Sequence, residues 1–153
     1  MKAITLYQPW ASLVASGAKT VETRSWSTPY RGPLAIHAAV APMRSARDVH
    51  GLAGCFCPGE GGIPEALVSA FEIAETCPVH GALVSEVQGC IVATCVLDDV
   101  VTAETLRGDP YGDFSPGRFA WLLRAVQALS MPVPVRGRQG LWEWDDRNVL
   151  FAQ

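Results

Sequence analysis

Gly17-Ala18-Lys19-Thr20-Val21-Glu22-Thr23-Arg24 joins a short helical pattern to an extended one, and the reading of the chain turns on it. In an extended backbone Thr20, Glu22 and Arg24 point to one face, and Val21 and Thr23 to the other. One face therefore carries a carboxylate and a guanidinium two residues apart, with Lys19 entering from the preceding loop. Such a set pairs internally, holds a polar ligand, or does both. The bland alternative is a solvated charged strand face. The flanks weigh against it: Tyr7, Gln8 and Trp10 come just before the helix, and Trp26, Tyr30 and Arg31 just after the strand. Aromatic planes beside a cationic, hydrogen-bonding cluster are what recognition of an unstacked base requires.

Upstream, Lys2 to Tyr7 alternates as a strand, with Ile4 and Leu6 on one face and Thr5 and Tyr7 on the other. Pro9 suits a helix's first turn, Trp10, Leu13 and Val14 share a helical face, and Gly17 is a stop. Downstream, Thr28-Pro29-Tyr30-Arg31-Gly32 is turn chemistry, followed by a strand over Pro33 to Ala39. Met43 to Leu52 and Glu65 to Glu75 read as helices, with loops at Ala53 to Gly62 and Cys77 to Val87. Gly89 to Val101 is the longest β candidate, and Ala103 to Arg107 a short helix. Phe119 to Val126, Met131 to Val135 and Leu141 to Trp144 are separate strands, and no βαβ repeat joins any of them. The expected fold is α+β: one domain over 1–153 with a curved or closed sheet and helical material inserted.

Bulk properties narrow the function. Apolar residues make up 49% of the 153, which excludes a disordered chain. The net charge of -3 argues against a non-specific duplex binder, though not against a cleft gripping one nucleotide or a short single strand. Ten of the twelve basic residues are arginine, the better side chain for planar, bidentate recognition, although a GC-rich genome gives the same bias. No apolar run is long enough to span a membrane, and Gln8-Pro9 leaves no room for a signal-peptide apolar region; a cytoplasmic location is expected.

Further candidates are weaker. Arg118 sits at a loop–strand junction, with backbone amides near Gly117 placed to face an anion, and Trp121 beyond it reads as core. Arg136-Gly137-Arg138-Gln139-Gly140, a glycine-rich turn before the last strand, is either a third basic site or no more than a hairpin connection. His37 alternates with Ile36 on a strand, so it faces either solvent or the cleft, and a satisfied structural histidine is the leading reading. Cys55, Cys57, Cys77 and His80, with His50 in reserve, contain four metal-ligand types, but Cys55 and Cys57 have one residue between them where structural zinc sites have two to four. Cys90 and Cys95 lie in an apolar strand and read as core. The spacing of Cys55 and Cys57 leaves no metal expected, no phosphate loop or Rossmann glycine pattern points to a cofactor, and no Gly-x-Ser-x-Gly elbow supports a nucleophilic hydrolase.

Gly17-x-Lys19-x-x-Glu22-x-Arg24, preceded by Gln8-Pro9-Trp10-Ala11 and followed by Thr28-Pro29-Tyr30-Arg31-Gly32, closely resembles the signature of ASCH (activating signal cointegrator homology) domains. Gly89-Cys90-Ile91-Val92-Ala93 and Gly117-Arg118-Phe119-Ala120-Trp121 match further elements in the right order. The stretch from about Arg44 to Val87 resembles a family-variable insertion. The resemblance implies a PUA-like β-barrel with a cleft beside the signature helix, and binding of RNA or another nucleic acid. Some bacterial members resembling this chain are amidohydrolases of acetylated cytidine, or ribonucleases. In the amidohydrolases a threonine stands three residues after the lysine; here that position is Glu22, so the nucleophile is missing.

The leading expectation is a nucleic-acid or nucleotide site made by Tyr7, Gln8, Trp10, Lys19, Glu22, Arg24, Arg31 and Arg118. Glu22 would accept from an exocyclic amino group, the cations would meet phosphate or base edges, and Trp10 or Tyr7 would stack. The alternative is a hydrolase with Lys19 as base and Glu22 positioning water. A third is that the cleft only recruits a protein partner or binds a small metabolite, with the insertion as a further contact surface.

Overall fold

A computed structural model describes residues 1–8, 10–40, 88–106 and 111–147. Its strands are β1 (Lys2–Leu6), β2 (Val21–Arg24), β3 (Gly32–Ala38), β4 (Cys90–Thr102), β5 (Phe119–Pro134) and β6 (Leu141–Glu143), with one α-helix, α1 (Trp10–Ala15), and a 3-10 turn at Ala103–Thr105. They form one sheet in the order β2-β5-β4-β3-β1-β6, in which β1 and β3 run parallel and every other pair antiparallel. The sheet curls as a half-barrel. Among the described residues its ladder stays open, because β2 and β6 are both edges. The described residues are mostly β with little helix.

Period-two alternation builds the two faces. Ile4, Leu6, Leu34, Ile36, Val92 and Leu97 turn to one side, where α1 lays Trp10, Leu13 and Val14 across them with Trp121. Each such side chain contributes about 1.5–3 kcal/mol on burial. A six-residue helix is far below the length that holds alone, so this packing is what keeps α1 folded. The Gln8 side-chain carbonyl accepts from Ser12 N at 3.2 Å, satisfying one first-turn donor, and Gly17 ends the turn at φ +77°. On the other side Ala3, Ala35, Ile91, Trp142 and Trp144 form a smaller cluster. Cys90 and Cys95 are buried free thiols, and burial pushes Cys95 up to about 12, so it stays protonated filler.

Three expectations change. The two strands anticipated at 119–126 and 131–135 are one strand, β5, which follows β4 through three register shifts and takes Ala125 to φ +50°. Bulges absorb the irregular sequence without breaking the pairing. The short helix expected from Ala103 is a 3-10 turn ending at Thr105. The closed barrel is a half-barrel among the described residues. The expected helical insertion, including the candidate ligands Cys55, Cys57, Cys77 and His80, lies outside the described residues.

Candidate functional site

The signature run folds inward. Lys19 is 1% exposed, and its ammonium donates to Val21 O and Tyr111 O, each at 2.6 Å, with Glu22 Oε2 at 3.4 Å. Two hydrogen bonds and one ion pair thus hold the ammonium, and the charge stands 5.7 Å from the centre of the Trp10 ring. Glu22 shares its second oxygen with Arg24, whose Nε is 3.1 Å away in an ion pair not aligned as a hydrogen bond. Arg24 Nη2 then donates to Thr5 O at 2.9 Å. Strand β6 pairs only with Lys2 to Ile4 of β1, so Thr5 offers its carbonyl where β6 has ended. A guanidinium therefore bridges the open seam between β2 and β1.

At that seam lies a cleft of about 640 Å³, within the usual range of ligand pockets. Thr5, Tyr7, Arg24, Trp26, His37 and the run Arg136 to Gly140 supply most of its lining. Tyr7 is 40% exposed. Trp26 is held edge-on to buried Trp121, with ring centres 4.8 Å apart, and its carbonyl accepts from Trp121 Nε1. Two aromatic rings and three arginines share one concavity.

Of the eight residues expected at the site, Tyr7 and Arg24 line this cleft. Lys19 and Glu22 stand behind Arg24 and hold it. Gln8 and Trp10 are buried at the start of α1. Arg31 and Arg118 stand elsewhere, each committed locally. Arg31 pairs with Asp99 and donates to Thr28 O and Tyr30 O, pinning the turn before β3 to β4. Arg118 lies 3.2 Å from Asp113 and reaches Thr23 O. The Gly117 amide does face an anion, but one from the chain itself, Glu104.

The opposite wall is the third basic run, which the sequence singled out but did not join to the signature. Among the described residues every other lysine and arginine has a carboxylate at salt-bridge distance, whereas Arg136 and Arg138 have none. Both are exposed. The available signal was the lack of any acid within that five-residue run.

His37 takes the cleft side of the two placements expected for it. It is 1% exposed, as a structural histidine should be, yet it lines the cleft. Its Nε2 is 2.9 Å from Val135 O, and its buried Nδ1 has no partner among the described residues. Burial holds the imidazole below its ordinary value, with the Val135 hydrogen bond pulling the other way. The folded state thus prefers the neutral ring. Its contribution to stability is complete above the ordinary imidazole value of about 6.5 and declines as pH falls towards and through the lowered folded value. Urea midpoints measured between pH 8 and pH 5 are expected to fall below pH ~6.5, and to fall less in His37→Gln. Parallel curves for the two proteins would refute this.

Fold and cleft together define the class: a curled, mostly β sheet with a basic, aromatic-walled cleft at its open seam. A sequence model of the ASCH domain matches residues 4–122, and the chain belongs to that family. It is 27% identical over 147 residues to Activating signal cointegrator 1 of Homo sapiens and 26% identical to that of Mus musculus. These alignments cover 94% of this chain but 22% of each relative, so the chain spans about a fifth of their length. Among solved structures, ASCH from Zymomonas mobilis aligns with TM-score 0.51 at 16% identity, covering 97% of this chain and 90% of that one. A tyrosine-to-phenylalanine mutant of the same protein gives 0.52 at 17%, covering 98% and 94%. At these identities the likeness is one of fold.

Proposed function

We propose that the chain binds single-stranded nucleic acid, RNA first among the candidates, with a nucleotide-sized unit in the seam cleft. The observation that carries this is a pair of guanidiniums, Arg136 and Arg138, with no carboxylate partner among the described residues, on the wall of a cleft that also holds Tyr7, Trp26 and Arg24. A protein of net charge -3 repels nucleic acid overall, so binding needs a local basic surface of this kind. Phosphates would meet Arg136, Arg138 and the part of Arg24 not committed to Glu22 and Thr5, and a base would stack on Tyr7. Lys19 and Glu22 serve by aiming Arg24. The hydrolase alternative needs Lys19 as a base in contact with substrate, and no observation favours it over binding.

Anisotropy of labelled single-stranded RNA, matched DNA and duplex RNA at two salt concentrations tests the reading. Single strands are expected to bind in preference to duplex. Tyr7→Ala is expected to weaken binding by about 5- to 100-fold, since stacking on an aromatic ring is worth ~1–3 kcal/mol per base. Equal, negligible binding of all three ligands would overturn it.

A further inference from the structure

The wall that carries Arg136 and Arg138 is an irregular segment between β5 and β6, and short connections of this kind do not hold their own position. Here four contacts hold it. Val135 N donates to Gly89 O at 3.0 Å, and Val135 O lies 2.9 Å from His37 Nε2. A carbonyl only accepts, so Nε2 carries the ring proton and Nδ1 the lone pair. Three residues on, Arg138 O accepts from Thr5 Oγ1 at 2.8 Å, and that hydroxyl accepts in turn from Trp142 Nε1 at 3.2 Å. Thr5 and His37 are register partners on β1 and β3, so the two ties stand side by side. Trp142 sets the imidazole edge-on, with ring centres 5.8 Å apart.

The fourth contact is the most specific. Gly137 sits directly on the imidazole: a Cβ there would lie 2.3 Å from Cε1 and 2.6 Å from Nδ1, about 1 Å short of ordinary contact. Gly137 does not have a positive φ, so its backbone does not demand glycine. The ring does. The buried Nδ1, which has no partner among the described residues, lies on the same side of the ring, 2.6 Å from where that Cβ would stand.

We propose that His37 is the positioning residue of the cleft: its imidazole is the seat on which Gly137 rests, and it fixes where Arg136 and Arg138 stand relative to Arg24. This deepens the nucleic-acid reading and rests on it for its functional consequence. Polar recognition sites need their groups held within about 0.5 Å, so a displacement of about 1 Å at Gly137 is enough to spoil the alignment.

The experiment is a cycle of Gly137→Ala, His37→Ala and the double variant, read by melting, by amide hydrogen exchange over residues 135–140 and by RNA affinity at several salt concentrations. Gly137→Ala changes an irregular segment and should melt cooperatively. It is expected to exchange at least tenfold faster over 135–140, to bind RNA about tenfold more weakly, and to show a shallower salt dependence. His37→Ala removes the ring that the new methyl would strike, so the double variant should lose less than the two single losses combined. His37→Gln replaces His37→Ala if the latter does not fold. A merely structural histidine would lower the melting temperature while leaving affinity and salt dependence of the folded protein unchanged, and that result overturns the proposal. So do unaltered exchange in Gly137→Ala and strictly additive losses. If the wild type binds no RNA, the nucleic-acid reading fails, and the exchange cycle still decides whether His37 seats the segment.

Discussion

Lys19→Ala is expected to destabilise the protein by about 3–5 kcal/mol, the usual consequence of removing one partner from a buried ion pair. The carbonyls of Val21 and Tyr111 lose their donor, and the Glu22 carboxylate loses a counter-charge. Glu22 is only 13% exposed, so water reaches its charge poorly. At this chain length each kcal/mol moves the melting temperature by roughly 2–4 °C, so a drop of about 10 °C is expected. Denaturant unfolding supplies the measurement. The double variant Lys19→Ala/Glu22→Ala should recover part of the loss, because it no longer buries an unpaired carboxylate. A melting temperature within 2 °C of wild type in Lys19→Ala would show that the ammonium does not hold this junction. The outcome matters for function as well: lost RNA binding in Lys19→Ala has to be read at a temperature where the variant is folded.

That the signature lysine points inward was not legible in its own sequence neighbourhood. Alternation placed Glu22 and Arg24 on one face, and they do pair there. What buries Lys19 is the Tyr111 carbonyl, 92 residues away, which no local pattern announces. β1, β3, β4 and α1 were legible because each presents an apolar face at its own period. β5 was read as two pieces because the half beyond Leu123 is mostly solvent-facing and includes Pro132 and Pro134. Its continuity comes from pairing with β4, a tertiary fact. The cleft wall was hidden for the same reason: ties between residues far apart in the sequence, His37 with Val135 and Thr5 with Arg138, hold the segment that carries Arg136 and Arg138. Arg31 and Arg118 show the converse. Their types suited phosphate, but Asp99 and Asp113 were already within reach.

Arg136→Ala/Arg138→Ala is expected to weaken single-stranded RNA binding by about 10- to 100-fold at low salt while leaving the fold intact. Both side chains are exposed and pair with no carboxylate among the described residues, so truncation should shift stability by no more than ~0.5 kcal/mol. Each phosphate contact on a single strand contributes about 0.7 to the slope of log affinity against log salt, so losing two should flatten that slope by roughly 1.4. Net charge alone would also lower affinity, and the control must carry the same change. Arg124→Ala/Arg147→Ala provides it, removing two exposed arginines that pair with Asp98 and Asp145 and do not line the cleft. Binding within twofold of wild type is expected for that control. If both double variants weaken binding equally, the effect is one of overall charge, and the cleft wall is not where the strand is held.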